Sequence, residues 1–224
     1  MELTARLRAV ADLIPQGGRL ADVGTDHAYL PVWLLLRGRI SQAIASDLRE
    51  GPLARARETA RQYHVEQYMD FRLCDGLSAI RPEETDAVAI AGMGGETIAA
   101  ILGRAPWTRE KHLVLQPMTS FPELRLWLQQ NGYKILKEHT AREGKRLYTI
   151  WSVRGGSMLP LSAGELWAGR QGREDPLRKD YLDEMAGKLR RALRGQLTAR
   201  TPDEREVRRL RQALDDIMRM QKEL

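Results

Sequence analysis

The stretch Arg19-Leu-Ala-Asp22-Val-Gly24-Thr-Asp26-His27-Ala28-Tyr29-Leu-Pro31 decides how this 224-residue chain is read. Arg19–Val23 has the apolar character of a short buried strand, the residues around Gly24 form a tight acidic turn, and a helix follows from about Ala28. A turn at the carboxyl end of a first parallel strand is where open α/β sheets take nucleotide-like ligands. Turns that cradle phosphates offer bare backbone N–H groups to an anion. This one instead sets Asp22 and Asp26 around a single glycine. Such a turn suits a ligand with an amino group, ribose hydroxyls and a positive centre, and S-adenosyl-L-methionine is one.

Working outward, apolar residues at helical spacing predict an amphipathic helix over residues 2–14, broken by Pro15-Gln-Gly-Gly18. After the acidic turn, Ile40–Ser46 reads as a second strand closing on Asp47, and a helix follows from about Pro52 to Tyr63. Met69–Leu73 is a third strand, ending at Cys74-Asp75-Gly76. Asp86–Ala91 is nearly all apolar, as a strand covered on both faces must be, and stops at Gly92-Met93-Gly94-Gly95. His112–Leu115 is a fifth strand ending at Gln116-Pro117-Met118, and Phe121–Asn131 a helix closed by Gly132. Tyr133–Thr140 and Arg146–Val153 flank a turn at Gly144 and read as an antiparallel hairpin. The alternation predicts an α/β fold with a doubly wound, seven-stranded, mainly parallel sheet that a hairpin closes. That layout resembles the class I (Rossmann-like) methyltransferase sheet.

The expected division is 1–155 for this unit and 156–224 for a helical appendage. In the appendage, Arg173-Glu-Asp-Pro176 opens a charged helical stretch to about Thr198, with Leu182, Met185, Leu189 and Ala192 at heptad-like spacing. A second helix, with Thr201 as N-cap and Pro202 at its first position, carries Val207, Leu210, Leu214, Ile217 and Leu224. Two such helices predict an antiparallel hairpin packed as a short coiled coil; paired within one chain they make a monomer.

The chain has 36 Lys+Arg against 30 Asp+Glu, a net charge of +6 that fits a polyanionic partner such as a nucleic acid. One third of the way along sits its single cysteine, Cys74, which excludes an intrachain disulfide and a cysteine zinc cluster. No metal is expected. The polar start Met1-Glu-Leu-Thr and the lack of a long apolar run point to a cytoplasmic protein with no membrane partner.

Taken on the class I layout, Asp22 and Gly24 lie at the acid and first glycine of the cofactor turn. Asp26 and His27 then face the methionine end of the cofactor, where a carboxylate pairs with its α-ammonium; capping of the next helix is the simpler job for Asp26. Asp47 is placed to accept the ribose hydroxyls, and Asp75, with Gly76 behind it, to meet the adenine amine. Gly92 and Met93 lie beside the transferred methyl. Amino-methylating enzymes of this class keep an Asn/Asp-Pro-Pro-aromatic motif there; small residues and bare backbone instead admit a flat base. Arg190, Arg191, Arg194, Arg205, Arg208 and Arg209 form the candidate RNA-binding set, within a segment where nine cations face three acids.

Leu3-Thr-Ala-Arg-Leu7, Ala21-Asp-Val-Gly-Thr-Asp-His-Ala-Tyr-Leu-Pro31, Ala91-Gly-Met-Gly-Gly95 and Leu115-Gln-Pro-Met118 together resemble the TrmK family, bacterial tRNA (adenine-N1)-methyltransferases that modify adenine 22. The resemblance covers residues 1 to about 153 and implies S-adenosylmethionine as methyl donor, tRNA as partner and no metal. On this reading Asp26, Gly92 and Met93 are the candidate catalytic residues, with Asp26 and the carbonyls near Gly92 easing the charge on the methylated base. Two other classes fit the residues less well. One is a non-catalytic RNA-binding protein on the same scaffold. The other is an NAD-dependent oxidoreductase, against which the missing Gly-x-Gly-x-x-Gly run counts.

Overall fold

Residues such as Leu20, Ala21, Val88 and Ala89 are sealed from solvent, so the strands that carry them must be covered on both faces. They lie in β1 (Arg19–Val23) and β4 (Ala87–Met93), neighbours at the centre of a seven-stranded sheet. The computed structural model describes residues 1–170 and 174–224. The other strands are β2 (Gln42–Asp47), β3 (Met69–Leu73), β5 (His112–Pro117), β6 (Tyr133–Glu143) and β7 (Arg146–Gly155). Their order is β3-β2-β1-β4-β5-β7-β6, with β1 to β5 parallel and β7 inserted antiparallel between β5 and β6. The chain reverses its direction of winding between β1 and β4, and such a switch point opens a crevice at the carboxyl ends of the strands.

Strand alternation sorts the core into two layers. Ala21, Val23, Val88, Ile90, Leu113 and Leu115 pack under α4 (Gly95–Arg104) and α5 (Phe121–Gln130). Leu20, Ala87, Ala89 and Val114 pack under α1 (Ala5–Leu13) and α2 (Tyr29–Leu36), and α3 (Glu50–Gln62) lies against α2. The same alternation turns Asp22 and Gln116 toward the α1 layer.

Beyond β7 the described residues are helical: α6 (Ala163–Ala168), α7 (Arg178–Thr198) and α8 (Glu204–Lys222). Leu182, Met185 and Leu189 of α7 meet Leu210, Ala213 and Ile217 of α8 in their own buried cluster. This helical region is bolted to the sheet by Arg125, whose side chain is wholly buried. Its Nε donates to Glu138 at 3.0 Å, its Nη1 donates to the carbonyls of Leu166 and Trp167, and its guanidinium lies 4.2 Å from the Trp151 ring.

Several expectations need correcting. The fourth strand begins at Ala87 and continues to Met93; Asp86 lies outside it and pairs with Arg19. Both hairpin strands are longer than expected, meeting at a Glu143–Arg146 pair across Gly144-Lys145. The short helix α6 was not expected. The N-cap of α8 is Asp203, which accepts from the N–H groups of Arg205 and Glu206, in place of Thr201. Asp commonly caps by such local side-chain bonds, and here Pro202 stays outside the helix. The seventh-position residues Ala192 and Leu224 are exposed. Part of the expected helix opening, Arg173, lies outside the described residues; α7 begins at Arg178.

Candidate active site

A cavity of about 420 Å³ opens at the switch point, lined by the acidic turn, by Ala91 and Gly92 at the end of β4, and by Thr4, Arg6 and Leu7 from the first turns of α1. Asp22, Gly24, Asp26, His27 and Gly92 are therefore gathered in one place. Gly24 has a left-handed φ of 77°, and a Cβ there would fall 2.1 Å from the Met93 methyl. Only glycine allows both the bend and that approach.

Asp22 has the most unusual electrostatics of the site. Burial pushes its carboxyl up to about 6; the Thr25 hydroxyl opposes the shift and the nearby Asp47 charge adds to it. A buried carboxylate facing a second acid, with no cation paired to it among the described residues, is costly until a positive group arrives. The acid at the base of the cavity thus fits a ligand that carries an ammonium group.

Asp26 is different. It stands exposed and is paired with Arg55 of α3 through both Nε and Nη2. That guanidinium holds its carboxyl below the ordinary range. Asp26 makes no capping bond to α2, whose N-cap is Ala28 in a left-handed conformation (φ 53°). The simple capping role therefore fails. His27 stacks flat on Tyr29, centroids 5.0 Å apart, and the pair forms an aromatic wall at the cavity mouth.

Across the cavity, Gly92 sits at a β-bulge: the β4–β5 register shifts between Ala91 and Met93, and φ at Gly92 is 82°. Bulges bend a strand and recur beside active sites. The bulge is held from beneath by Gln116 at the end of β5, which is buried. Its Oε1 accepts from the Gly92 N–H at 3.1 Å and from Arg6 Nη1 at 2.8 Å. The Met93 carbonyl accepts from the Met118 N–H, and Gly95 lies so close to the Thr119 and Ser120 carbonyls that no side chain fits. Met93 itself is outside the cavity lining, its methyl filling the space above Gly24.

The remaining candidates lie along the same rim in strand order. Asp47 ends β2 and accepts from the Arg49 N–H. Asp75 follows β3 and makes a two-pronged pair with Arg104 at 2.7 and 2.9 Å; Gly76 (φ 62°) sits against Ile101. None of the three lines the cavity. Arg190, Arg191, Arg194, Arg205, Arg208 and Arg209 are all exposed on α7 and α8, away from it. Sequence reading missed Arg6, and it expected Gln116-Pro117-Met118 to line the base pocket, whereas Gln116 lies behind the cavity and braces Gly92. The contact between Arg6 and Gln116 joins positions 110 residues apart. Among the described residues no cluster of three or more His, Cys, Asp or Glu side chains offers a metal site, and no helix is long and apolar enough to cross a membrane.

Comparison with known proteins agrees with this geometry. A family model for a methyltransferase domain matches residues 3–151. The tRNA (adenine(22)-N(1))-methyltransferase of Bacillus subtilis strain 168 is 36% identical over 174 residues, covering 74% of this chain and 73% of that protein. The structure of Streptococcus pneumoniae Sp1610 in complex with S-adenosyl-L-methionine superposes with a TM-score of 0.85 at 32% identity, covering 98% of this chain and all of that one. Mycoplasma capricolum TrmK bound to S-adenosyl-homocysteine gives 0.82 at 25% identity, covering 99% of each chain.

Proposed function

The chain belongs to the TrmK family within the methyltransferase-domain proteins, and from that premise we propose how its own residues work. It is an S-adenosylmethionine-dependent methyltransferase that modifies N1 of an adenine in tRNA, as the B. subtilis relative does at position 22. The observation that carries the site reading is the buried, desolvated acid: Asp22, with its carboxyl raised to about 6 beside a glycine that admits close approach. When bound, S-adenosylmethionine supplies an electrophilic methyl on a sulfonium.

Every other task falls to the chain. Asp22 is the counter-ion for the ligand's ammonium, relieved of its desolvation cost by the charge it gains. The sequence alone gives that job to Asp26; its pairing with Arg55 supports a different role, fixing the turn at the cavity mouth. His27, beside it, contributes a stacking face with Tyr29. Asp47 holds the ribose hydroxyls and Asp75, released from Arg104, the adenine amine, with Gly76 leaving room. Gly92 and Met93 shape the wall against which the target adenine lies, and Gln116 keeps that wall in place.

Adenine N1 carries an in-plane lone pair, so the chain's main contribution is to hold the base in line. Methylation leaves the ring cationic. The ionised Asp26, which its Arg55 pairing keeps deprotonated, is a poor proton acceptor and serves by its field. The N6 proton then leaves to water without a dedicated base. Because N1 lies on the pairing edge, the base must be unpaired or flipped out.

The catalytic unit is taken as 1–155, and 156–224 as the appendage whose arginines contact tRNA. In this reading the protein is a cytoplasmic monomer, its two long helices paired within the chain. The test is transfer of a labelled methyl to an unmodified tRNA transcript with mapping of the product. Label at N1 of adenine 22 is the expected result; RNA binding without any label favours the non-catalytic reading.

A further inference from the structure

A second concavity lies between the hairpin tip and α7, about 420 Å³ in volume. Its walls are cationic. Lys145 and Arg146 stand on the β6–β7 turn, and Lys188 and Arg191 face them from α7. Among the described residues Glu184 is the only acid that lines it, and it is already paired with Lys188 at 2.8 Å. Among the described residues Lys145, Arg146 and Arg191 have no ion-pair partner. The floor is apolar and aromatic: Phe121, with Lys188 Nζ 5.3 Å from its ring centroid, and Tyr148, with the Arg6 guanidinium 5.7 Å away.

Two features connect the groove to the chemistry. One end is lined by Pro117 and Met118, at the carboxyl end of β5. Arg6 lines the cofactor cavity and reaches over Tyr148, which lines the groove, so one side chain bridges the two spaces. The groove also has fixed walls, since Arg142 beside the tip pairs with Asp180 of α7 and Leu147 packs into the α7–α8 cluster.

Cationic walls over an aromatic floor are the combination that holds unpaired nucleotides, phosphates outside and bases stacked within. We propose that this groove carries the unpaired tRNA nucleotides next to the target adenine and feeds that base to the Gly92 rim. The inference rests on the methyltransferase reading; of the candidate tail arginines only Arg191 lines this groove.

The test is Lys145→Ala with Arg146→Ala, made together because both are exposed at a two-residue turn. Binding of unmodified tRNA and of a short single-stranded oligoribonucleotide is measured against salt, beside S-adenosylhomocysteine affinity and melting temperature. The variant is expected to lose about tenfold or more in affinity for both RNAs and to lower the salt slope by about two, one per phosphate contact. S-adenosylhomocysteine affinity and melting temperature stay unchanged. A second variant, Phe121→Leu, is expected to weaken oligonucleotide binding several-fold with the salt slope intact. RNA affinities equal to wild type in the double variant overturn the groove, as does a loss confined to tRNA with the single-stranded oligoribonucleotide bound as before. Failure of the wild-type protein to methylate tRNA, with the groove effects intact, overturns the activity reading alone.

Discussion

At the residue scale, Asp22 sets two effects against each other. Its folded value of about 6 lies above the ordinary 3.8, so the folded chain holds the proton more tightly than the unfolded one. The stability it lends is present below pH 4 and is lost as pH rises through 6, about 3 kcal/mol in all. Asp22→Asn removes that loss, so without ligand at pH 7.5 the variant is expected to melt roughly 6–12 °C higher. The same change discards the counter-ion, and calorimetry is expected to show S-adenosylhomocysteine bound more than tenfold more weakly. In the wild type, affinity falls about tenfold per pH unit once pH drops below 6, because binding then requires proton release. A variant that is both destabilised and fully able to bind contradicts the assignment. Gly24 gives a second test. Gly24→Ala strains a φ of 77° and drives a methyl into Met93. Adding Met93→Ala relieves the collision, so the double variant is expected to recover part of the lost melting temperature but not ligand binding. The acids and glycines of this turn were readable from sequence because their chemistry is local. What they touch was not: Arg55 and Arg6 reach the site from other elements, and nothing in their local pattern announces it.

At the element scale, periodicity exposed every strand, because a strand buried on both faces must be apolar throughout, and those facing one layer must alternate. The errors cluster where local rules yield to packing. The β4 boundary moved because Gly92 bulges without ending the strand. The hairpin ran longer because its outer residues pair across a two-residue turn even where polar side chains face solvent. Helix α6 has only six residues and too little pattern to read, yet its last turn receives Arg125. That contact makes a prediction about the joint between sheet and helical region. Glu138→Gln leaves the Arg125 charge buried without its counter-ion, at a cost of about 3–5 kcal/mol. The melting temperature is expected to fall by roughly 10 °C, with protease cutting first in the region of α6 and α7. An unchanged melting curve would mean that the sheet and the helices are held together by their apolar contacts alone.

At the scale of the whole molecule, residues 156–224 carry 15 Lys+Arg against 12 Asp+Glu, half of the net charge of +6, and the arginines of this appendage are not equivalent. Arg208 and Arg209 of α8 are already matched with Glu204 and Glu206 at 3.5 and 3.3 Å. Arg190 and Arg194, four residues apart on α7, are exposed and have no ion-pair partner among the described residues. A phosphate that binds a paired arginine must compete with a carboxylate, whereas an unpaired one releases only solvent and counter-ions. Exposed pairs are weak, so the competition lessens the effect without abolishing it. Arg190→Ala with Arg194→Ala is therefore expected to weaken tRNA binding more than Arg208→Ala with Arg209→Ala. The first variant should lower the salt slope by close to two and the second by less. Both should bind S-adenosylhomocysteine as the wild type does, since no described residue of α7 or α8 lines the cavity. Filter binding of tRNA across a salt series decides the order. Equal losses would mean that the acids of α8 do not shield their arginines, and a larger loss from the α8 variant would move the principal RNA contact to that helix.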